Sequence, residues 1–270
     1  MAKSSLDVYC SSDWRAVMFT AGKKSEIGQR LGIQYTKAMQ PSVPVSYGDI
    51  TMEFHQESMG LMAISGVVWD AGLLMVDFLL WAKAQNEFDA LSGRLLDIGC
   101  GTGIAGVSAL LLNDSSNVLF TDIDKLPCFD YNIDQLSETQ RPRQDFVTYR
   151  WNETNLPESF QFSASSESSS GASDSDGREA IVWDTLLCSD LLYEEKSHSL
   201  LLSVLRRIAF KRAIFTYKQR HEVPEEKFFE ELSQWCSVRV VNGETIPLVN
   251  LPHTSLSGLF VVIVEPNAAL

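Results

Sequence analysis

The ten residues Leu95-Leu-Asp-Ile-Gly-Cys-Gly-Thr-Gly-Ile104 constrain this chain more than any other stretch. Leu95, Leu96 and Ile98 make a short apolar run of the kind a buried strand carries. Gly99, Gly101 and Gly103 then permit a sharp turn in which the backbone approaches a ligand with no Cβ in the way. The apolar stretch Ile104–Leu112 continues as a helix whose amino terminus would face the same ligand. About twenty residues further on, Val118-Leu-Phe-Thr-Asp122 gives a second apolar strand ending in a carboxylate. A doubly wound sheet places the acid that holds ribose hydroxyls there. Together these features imply a nucleoside-type cofactor. A glycine-rich turn with no ligand is the plainer alternative, and it leaves the placement of Asp122 without a reason.

The glycine spacing narrows the cofactor. Counted from Gly99, the dinucleotide pattern G-x-G-x-x-G/A puts its last small residue at position 104, which is Ile. The Gly-Lys-Ser/Thr ending of a phosphate loop does not occur. What remains is D-x-G-x-G-x-G from Asp97 to Gly103, with the downstream acid Asp122.

A chain of 270 residues has room for one large α/β domain with an amino-terminal extension. Its formal charge of −13, spread along the chain, argues against nucleic acid as substrate, because phosphate contacts need clustered Lys and Arg. The same charge suits a basic protein partner. Cys10, Cys100, Cys128, Cys188 and Cys236 are scattered, and no two form a Cys-x-x-Cys pair. His55, His198, His221 and His253 are equally isolated. Neither a disulfide framework nor a metal site is expected, and a reducing compartment is. The apolar stretch around Leu73–Ala82 is interrupted by Asp77 and too short to span a bilayer, and Met1–Asp7 lacks the features of a signal sequence. The expectation is a soluble monomer of the cytoplasm, with the nucleus also open to it.

Residues 1–40 are polar and weakly patterned, and read as an arm. Val45–Phe54 alternates around Gly48-Asp49 and reads as a β-hairpin. Val67–Ala84 reads as an apolar helix. Strands are expected at Arg94–Gly99, Asn117–Asp122, Phe146–Tyr149, Thr185–Ser189, Ala213–Tyr217, Ser237–Val241 and Leu259–Val264. Helices at Ile104–Leu112, Lys125–Leu136, Lys196–Ile208 and Pro224–Trp235 separate most of them. That alternation implies a mostly parallel sheet covered on both faces. The segment Asn242–Gly258 is too short and too broken for a crossover helix, so the last strand should pair antiparallel. The fold expected is therefore a Rossmann-like, doubly wound seven-strand α/β sheet with an amino-terminal hairpin. The division is 1–64 for arm and hairpin and 65–270 for the main domain. A serine-rich insertion at 159–178, with nine serines in Ser159–Gly177, cannot bury enough apolar surface to order itself.

A third cluster, Asp184-Thr-Leu-Leu-Cys-Ser-Asp-Leu-Leu-Tyr193, places Ser189, Asp190 and Tyr193 at or just past the carboxyl end of a strand. Ligands of open α/β sheets bind at that end, near the point where strand order reverses. Asp190 serves equally well, on sequence alone, as a cap for the helix that follows.

Six segments in fixed order carry a resemblance. They are Val68-Trp-Asp-Ala71, Leu96–Gly103, Thr121-Asp122, Tyr149-Arg-Trp151, Ser189-Asp-Leu-Leu-Tyr193, and Tyr217-Lys-Gln-Arg220 followed by Phe228-Phe229. The chain resembles methyltransferase family 16, seven-strand enzymes that methylate protein lysines with S-adenosylmethionine (SAM). The resemblance implies that Gly99, Cys100 and Gly101, with Asp97 and Gly103 of the same turn, line the methionine and ribose portion of SAM. Asp122 would hold the ribose hydroxyls. Trp69 would approach from the first long helix, Trp151 would contact the adenine end, and Ser189 would contact the cofactor through its backbone. Asp190 and Tyr193 would shape the lysine entrance. For either Trp alone, ordinary core packing is the competing reading.

Three positions depart from the family pattern: Asp97 stands where many relatives have Glu, Asn152 where they often have Gly, and Ser189 where they usually have Ala. The resemblance implies a lysine-containing protein substrate. Transfer to a small molecule or to a histidine is the alternative, and a catalytically silent cofactor-binding scaffold is a third.

Overall fold

The apolar runs close into one mixed sheet in the computed structural model, which describes residues 9–19, 38–57, 64–85, 91–161, 181–251 and 258–267. Of the serine-rich insertion expected at 159–178, residues 162–178 lie outside the described residues, as does most of the 1–40 arm, while Ser159–Gln161 belong to a short helix in which Phe160 is buried. The elements are β1 (Cys10–Ser11), α1 (Trp14–Met18), β2 (Ser42–Ser46), β3 (Thr51–His55), α2 (Asp70–Ala84), β4 (Gly93–Ile98), α3 (Ile104–Leu112), β5 (Ser116–Asp122) and α4 (Pro127–Asp134). They continue with β6 (Gln144–Thr148), α5 (Glu158–Gln161), β7 (Trp183–Ser189), α6 (Glu195–Arg207), β8 (Phe210–Lys218), α7 (Glu222–Ser233), β9 (Cys236–Val241) and β10 (Leu259–Pro266).

The sheet order is β1-β9-β10-β8-β7-β4-β5-β6, and β2 and β3 form a separate antiparallel hairpin. All seven expected strands form, with ends displaced by a few residues. Strand β10 inserts antiparallel between β8 and β9, with Val262 opposite both Phe215 and Val240. Strand β4 lies parallel between β5 and β7, with Leu96 opposite Leu119 and Leu186. The chain winds outward from β4 to β6 and returns to β7 on the other side. The crevice at the carboxyl ends of β4 and β7 is therefore the topological switch point, where open α/β sheets hold ligands.

Adjacent side chains of β4 serve opposite cores, because a strand alternates its faces. Leu95 joins a cluster with α2, α3 and the hairpin, and Leu96 joins one with α6 and α7. Helix α2 has almost no polar face because Val43, Val45, Met52 and Phe54 of the hairpin cover the side that would otherwise meet water. It starts at Asp70 rather than Val67: Trp69 is extended (φ −83°, ψ 159°), and the Val68 N–H donates to Gln56 Oε1 at 3.0 Å. Helix α6 is conventionally amphipathic and turns His198, Leu201, Leu202 and Leu205 inward.

The arm departs from its reading as weakly patterned chain. Cys10 and Ser11 add an eighth strand by pairing antiparallel with Val241 and Val240. Trp14 and Met18 of α1 are buried beside Phe229 and Tyr217. Among the described residues, no helix is long and apolar enough to cross a membrane.

Candidate functional site

The turn after β4 is built by backbone geometry. Gly99, Gly101 and Gly103 have φ of 62°, 53° and 79°, the left-handed region that side chains disfavour. At Gly101 the requirement is also steric, since a Cβ there would lie 2.3 Å from the Ser65 carbonyl oxygen. The chain that leads into α2 thus lies directly on the glycine turn. Trp69 closes this approach, its indole N–H donating to Ile64 O at 2.9 Å.

A fourth glycine extends the pattern beyond the count from Gly99. Counted from Gly101, the spacing G-x-G-x-x-G is completed at Gly106. A Cβ at Gly106 would meet the Phe120 ring at 2.3 Å, so this glycine provides the close packing of α3 on β5. The reading of position 104 as the last member of the pattern is corrected accordingly. Spacing alone does not distinguish a dinucleotide site here.

Two carboxylates hold the turn. Asp122, at the end of β5, accepts from the Gly101 N–H through Oδ2 at 2.8 Å and from the Ile123 N–H through Oδ1 at 2.7 Å. Burial raises its pKa, which those two bonds oppose. Asp97 is 1% exposed, and its Oδ2 accepts from the Gly106 N–H at 2.8 Å. Its Oδ1 is buried with no protein partner. Burial pushes the Asp97 carboxyl up to about 7, and the charge of Asp122 adds to the rise. Burial likewise raises the Cys100 thiol, so it stays neutral and unreactive.

Across the switch point, Asp190 follows β7 and is the one described non-glycine residue with positive φ, at 54°. Asn152, which stands where relatives often have Gly, does not adopt positive φ. The Asp190 carboxylate is gripped by Arg220 in a fork, Nη1 to Oδ1 and Nη2 to Oδ2, both at 2.8 Å. The Lys218 N–H donates to Oδ1 at 3.3 Å, and the Asp190 N–H donates to Thr216 O at 2.7 Å. Asp190 does not cap α6, whose N-cap is Glu194.

Arg220 lies just past β8 because β7 and β8 run parallel, with Ser189 opposite Thr216. Its backbone N–H and that of His221 donate to Glu225 Oε1 at 2.8 and 2.9 Å, leaving Glu225 Oε2 buried without a partner. Local spacing in the sequence assigns no role to Arg220 or Glu225. The available signal was the pairing of an acid after one strand with a base after its neighbour.

The remaining candidates converge on the same end of the sheet. Ser189 Oγ would lie 3.7 Å from a Cβ on Gly72, and Ile104 borders the same position, so the starts of α2 and α3 meet the end of β7. Trp151 is half-buried, with Cζ2 3.4 Å from where a Gly99 Cβ would be, and Leu191 lies beside it. Neither Trp69 nor Trp151 is a fully buried core residue. Tyr193 is 40% exposed. Its phenol pKa is raised by burial first and then by the charges of Glu194, Asp122 and Asp190, while Arg220 lowers it.

A separate groove of about 580 Å³ runs between α6 and α7, past Glu195, His198 and Phe228; no expected cofactor residue lines it. Among the described residues no three His, Cys, Asp or Glu side chains come together as a metal site would require. The five cysteines form no disulfide among the described residues.

The turn fits an adenosyl cofactor on its own terms. The left-handed glycines bare the backbone, Asp122 ends the neighbouring strand, and Asp97 Oδ1 offers an unused acceptor to a cationic group. Among solved structures, the chain is similar to magnesium protoporphyrin IX methyltransferase from Synechocystis PCC 6803 with bound SAM. Identity is 17% over 73% of this chain and 80% of that one, with a TM-score of 0.47. It is also similar to a bacterial Hen1 methyltransferase domain (14% identity, 73% and 98% covered, TM-score 0.45). A human methyltransferase 10 domain containing protein is a further likeness (12% identity, 73% and 83% covered, TM-score 0.44). No curated protein matches. The family model described as lysine methyltransferase matches residues 48–165 and 172–235, well over half of the chain. The chain therefore belongs to the lysine methyltransferase family and is a SAM-dependent methyltransferase.

Proposed function

We propose that the protein transfers a methyl group from SAM to a lysine side chain of a protein substrate. The observation that supports this most is the meeting of Asp190, Tyr193 and Arg220 at the ends of β7 and β8, beside the glycine turn, in a chain of this family. In this reading Gly99, Cys100, Gly101 and Gly103 line the methionine and ribose portion, and Asp122 holds the ribose hydroxyls. Trp69 and Trp151 border the cofactor at its two ends, and Ser189 contacts it through the backbone. Asp97 Oδ1 receives the cationic amino group. Residues 1–64 support this site as arm and hairpin, and residues 65–270 build it. The net charge of −13 suits a basic protein partner met in the cytoplasm or nucleus, with the enzyme acting as a monomer.

When bound, the cofactor supplies an electrophilic methyl group on a positively charged sulfur. The protein supplies position and electrostatics. The acceptor amine must arrive with its lone pair free. An ordinary lysine has a pKa near 10.4, so deprotonating it at pH 7 costs about 4.6 kcal/mol at ~1.36 kcal/mol per unit. Asp190 orients the amine by accepting an N–H. It is not assigned as a strong base, because a carboxylate beside the amine favours the ammonium form. Tyr193 borders the entrance, its phenol kept neutral by burial and the neighbouring carboxylates. The proton leaves through water.

The test is incubation of the purified protein with radiolabelled SAM and a cell lysate, followed by mass spectrometry of labelled material. A labelled protein band with methyl-lysine is expected. Label confined to low-mass material, or found on histidine, would overturn the proposal.

A further inference from the structure

Asp190 has little room to act as an isolated carboxylate. Both of its oxygens are taken by the Arg220 fork, Oδ1 also accepts from the Lys218 N–H, and the residue is 6% exposed. Arg220 is itself fixed: Nη1 donates a second bond to Lys218 O at 3.0 Å, and its backbone is tied to Glu225. Such a fork is a geometric device, because two parallel bonds define the carboxylate plane as well as its position.

The charges that face the guanidinium make its sign matter. Asp190 lies against it after β7, Glu225 faces it from α7, and Asp70 faces it from the first turn of α2. The charges of Arg220, Asp190, Asp122 of β5 and Glu194 all act on Tyr193, and His198 of α6 acts on Glu225. Lys218 and His221 flank it in the chain. Without Arg220 the acceptor would enter a field dominated by carboxylates, each of which favours the protonated amine.

We propose that Arg220 is a positioning residue for this reaction: it fixes Asp190 and cancels its charge, so that the acceptor amine reaches the methyl group uncharged. This rests on the lysine reading of the site given above. The amine lone pair forms the new nitrogen–carbon bond as the carbon–sulfur bond breaks, with that electron pair left on sulfur. The resulting ammonium then loses its extra proton to water. The fork thus separates two tasks that a bare carboxylate would set against each other, orienting the amine and keeping it neutral.

The experiment compares the full-length protein with Arg220→Gln and Arg220→Lys. Labelled methyl transfer into lysate proteins is followed from pH 6.5 to 10 at saturating cofactor. Binding of S-adenosylhomocysteine by calorimetry verifies the fold of each variant. Arg220→Gln should move the acid limb of the profile upward by ~1 unit, about a tenfold loss at pH 7. Arg220→Lys keeps the charge and should leave the limb in place whatever its rate. A limb in Arg220→Gln that superposes on the wild type, or one that moves as far in Arg220→Lys, overturns the proposal.

Should Arg220→Gln fail to fold, Asp190→Asn decides. Asparagine tolerates the left-handed backbone at 190, and removing that negative charge should move the residual limb downward. An unchanged or upward limb overturns the proposal. If the wild type labels no protein at any pH, the lysine reading itself fails and carries this inference with it. That outcome is distinct from a pH profile that ignores Arg220.

Discussion

Replacing Asp97 by Asn tests the link between the buried acid and cofactor binding. Burial raises this carboxyl from 3.8 to about 7, and Oδ1 faces no protein donor. A carboxyl whose folded pKa is raised contributes its full stability below the unfolded pKa, and loses it as pH rises through the folded value. For Asp97 the window runs from about pH 4 to pH 7. A shift of about 3 units corresponds to ~4 kcal/mol of stability lost across it. Asn keeps an oxygen for the Gly106 N–H and cannot ionise, so Asp97→Asn should flatten that part of the stability–pH curve.

The cofactor side of this linkage has the opposite sign. A cationic amino group at Oδ1 favours the carboxylate, so binding must expel the proton that Asp97 holds below pH 7. At pH 6 a group with a pKa of about 7 is roughly nine-tenths protonated, so binding S-adenosylhomocysteine should release about 0.9 proton. The ligand's own amine is already charged at that pH and adds nothing. At pH 8 the release from Asp97 should fall to about 0.1. Calorimetry in buffers of different ionisation heats reads the proton count directly. Equal proton release by wild type and Asp97→Asn at pH 6 would refute the argument.

The same physics gives further expectations. Gly101→Ala would drive a Cβ against the Ser65 carbonyl in a left-handed backbone; cofactor affinity should fall more than tenfold in calorimetry, with about 1–3 kcal/mol lost in chemical denaturation. Asp190→Ala should abolish most methyl transfer while cofactor affinity stays nearly intact. It should also cost more stability than Asp190→Asn, because Ala neither tolerates φ of 54° nor answers Arg220. Asn250 ties Asp77 of α2 to Ser46 of the hairpin through bonds of 2.7 to 3.1 Å. Asn250→Ala should cost about 2 kcal/mol in urea unfolding at pH 7. The cost should be smaller at pH 5, where Asp77, raised by burial to about 6, is mostly protonated and needs fewer donors.

The central sheet was legible because its strands are buried on both faces and announce themselves as apolar runs such as Leu95–Ile98 and Val118–Phe120. The glycine turn and Asp122 were equally legible, since short local spacing fixes both. What depended on long-range register was not. Cys10–Ser11 is too short and mixed in polarity to signal a strand, and only the free edge of β9 makes it one. Arg220 sits thirty positions from Asp190, and their fork exists because β7 and β8 are parallel neighbours. Gly106 was visible in the sequence but missed by starting the count one glycine early. The helix starting at Asp70 rather than Val67 reflects a tertiary contact, the Gln56 side chain capturing the Val68 amide, that local periodicity does not carry.

The short strand at Cys10–Ser11 also has a consequence for biosynthesis. Its partner Val241 is translated more than two hundred positions later. Trp14 likewise waits for Phe229. The sheet's outer edge can therefore close only after β9 and β10 have been made, and such distant pairings form slowly. Until then Cys10–Ser11 has no strand to pair with, so its seating is a late step in building this sheet rather than an early one.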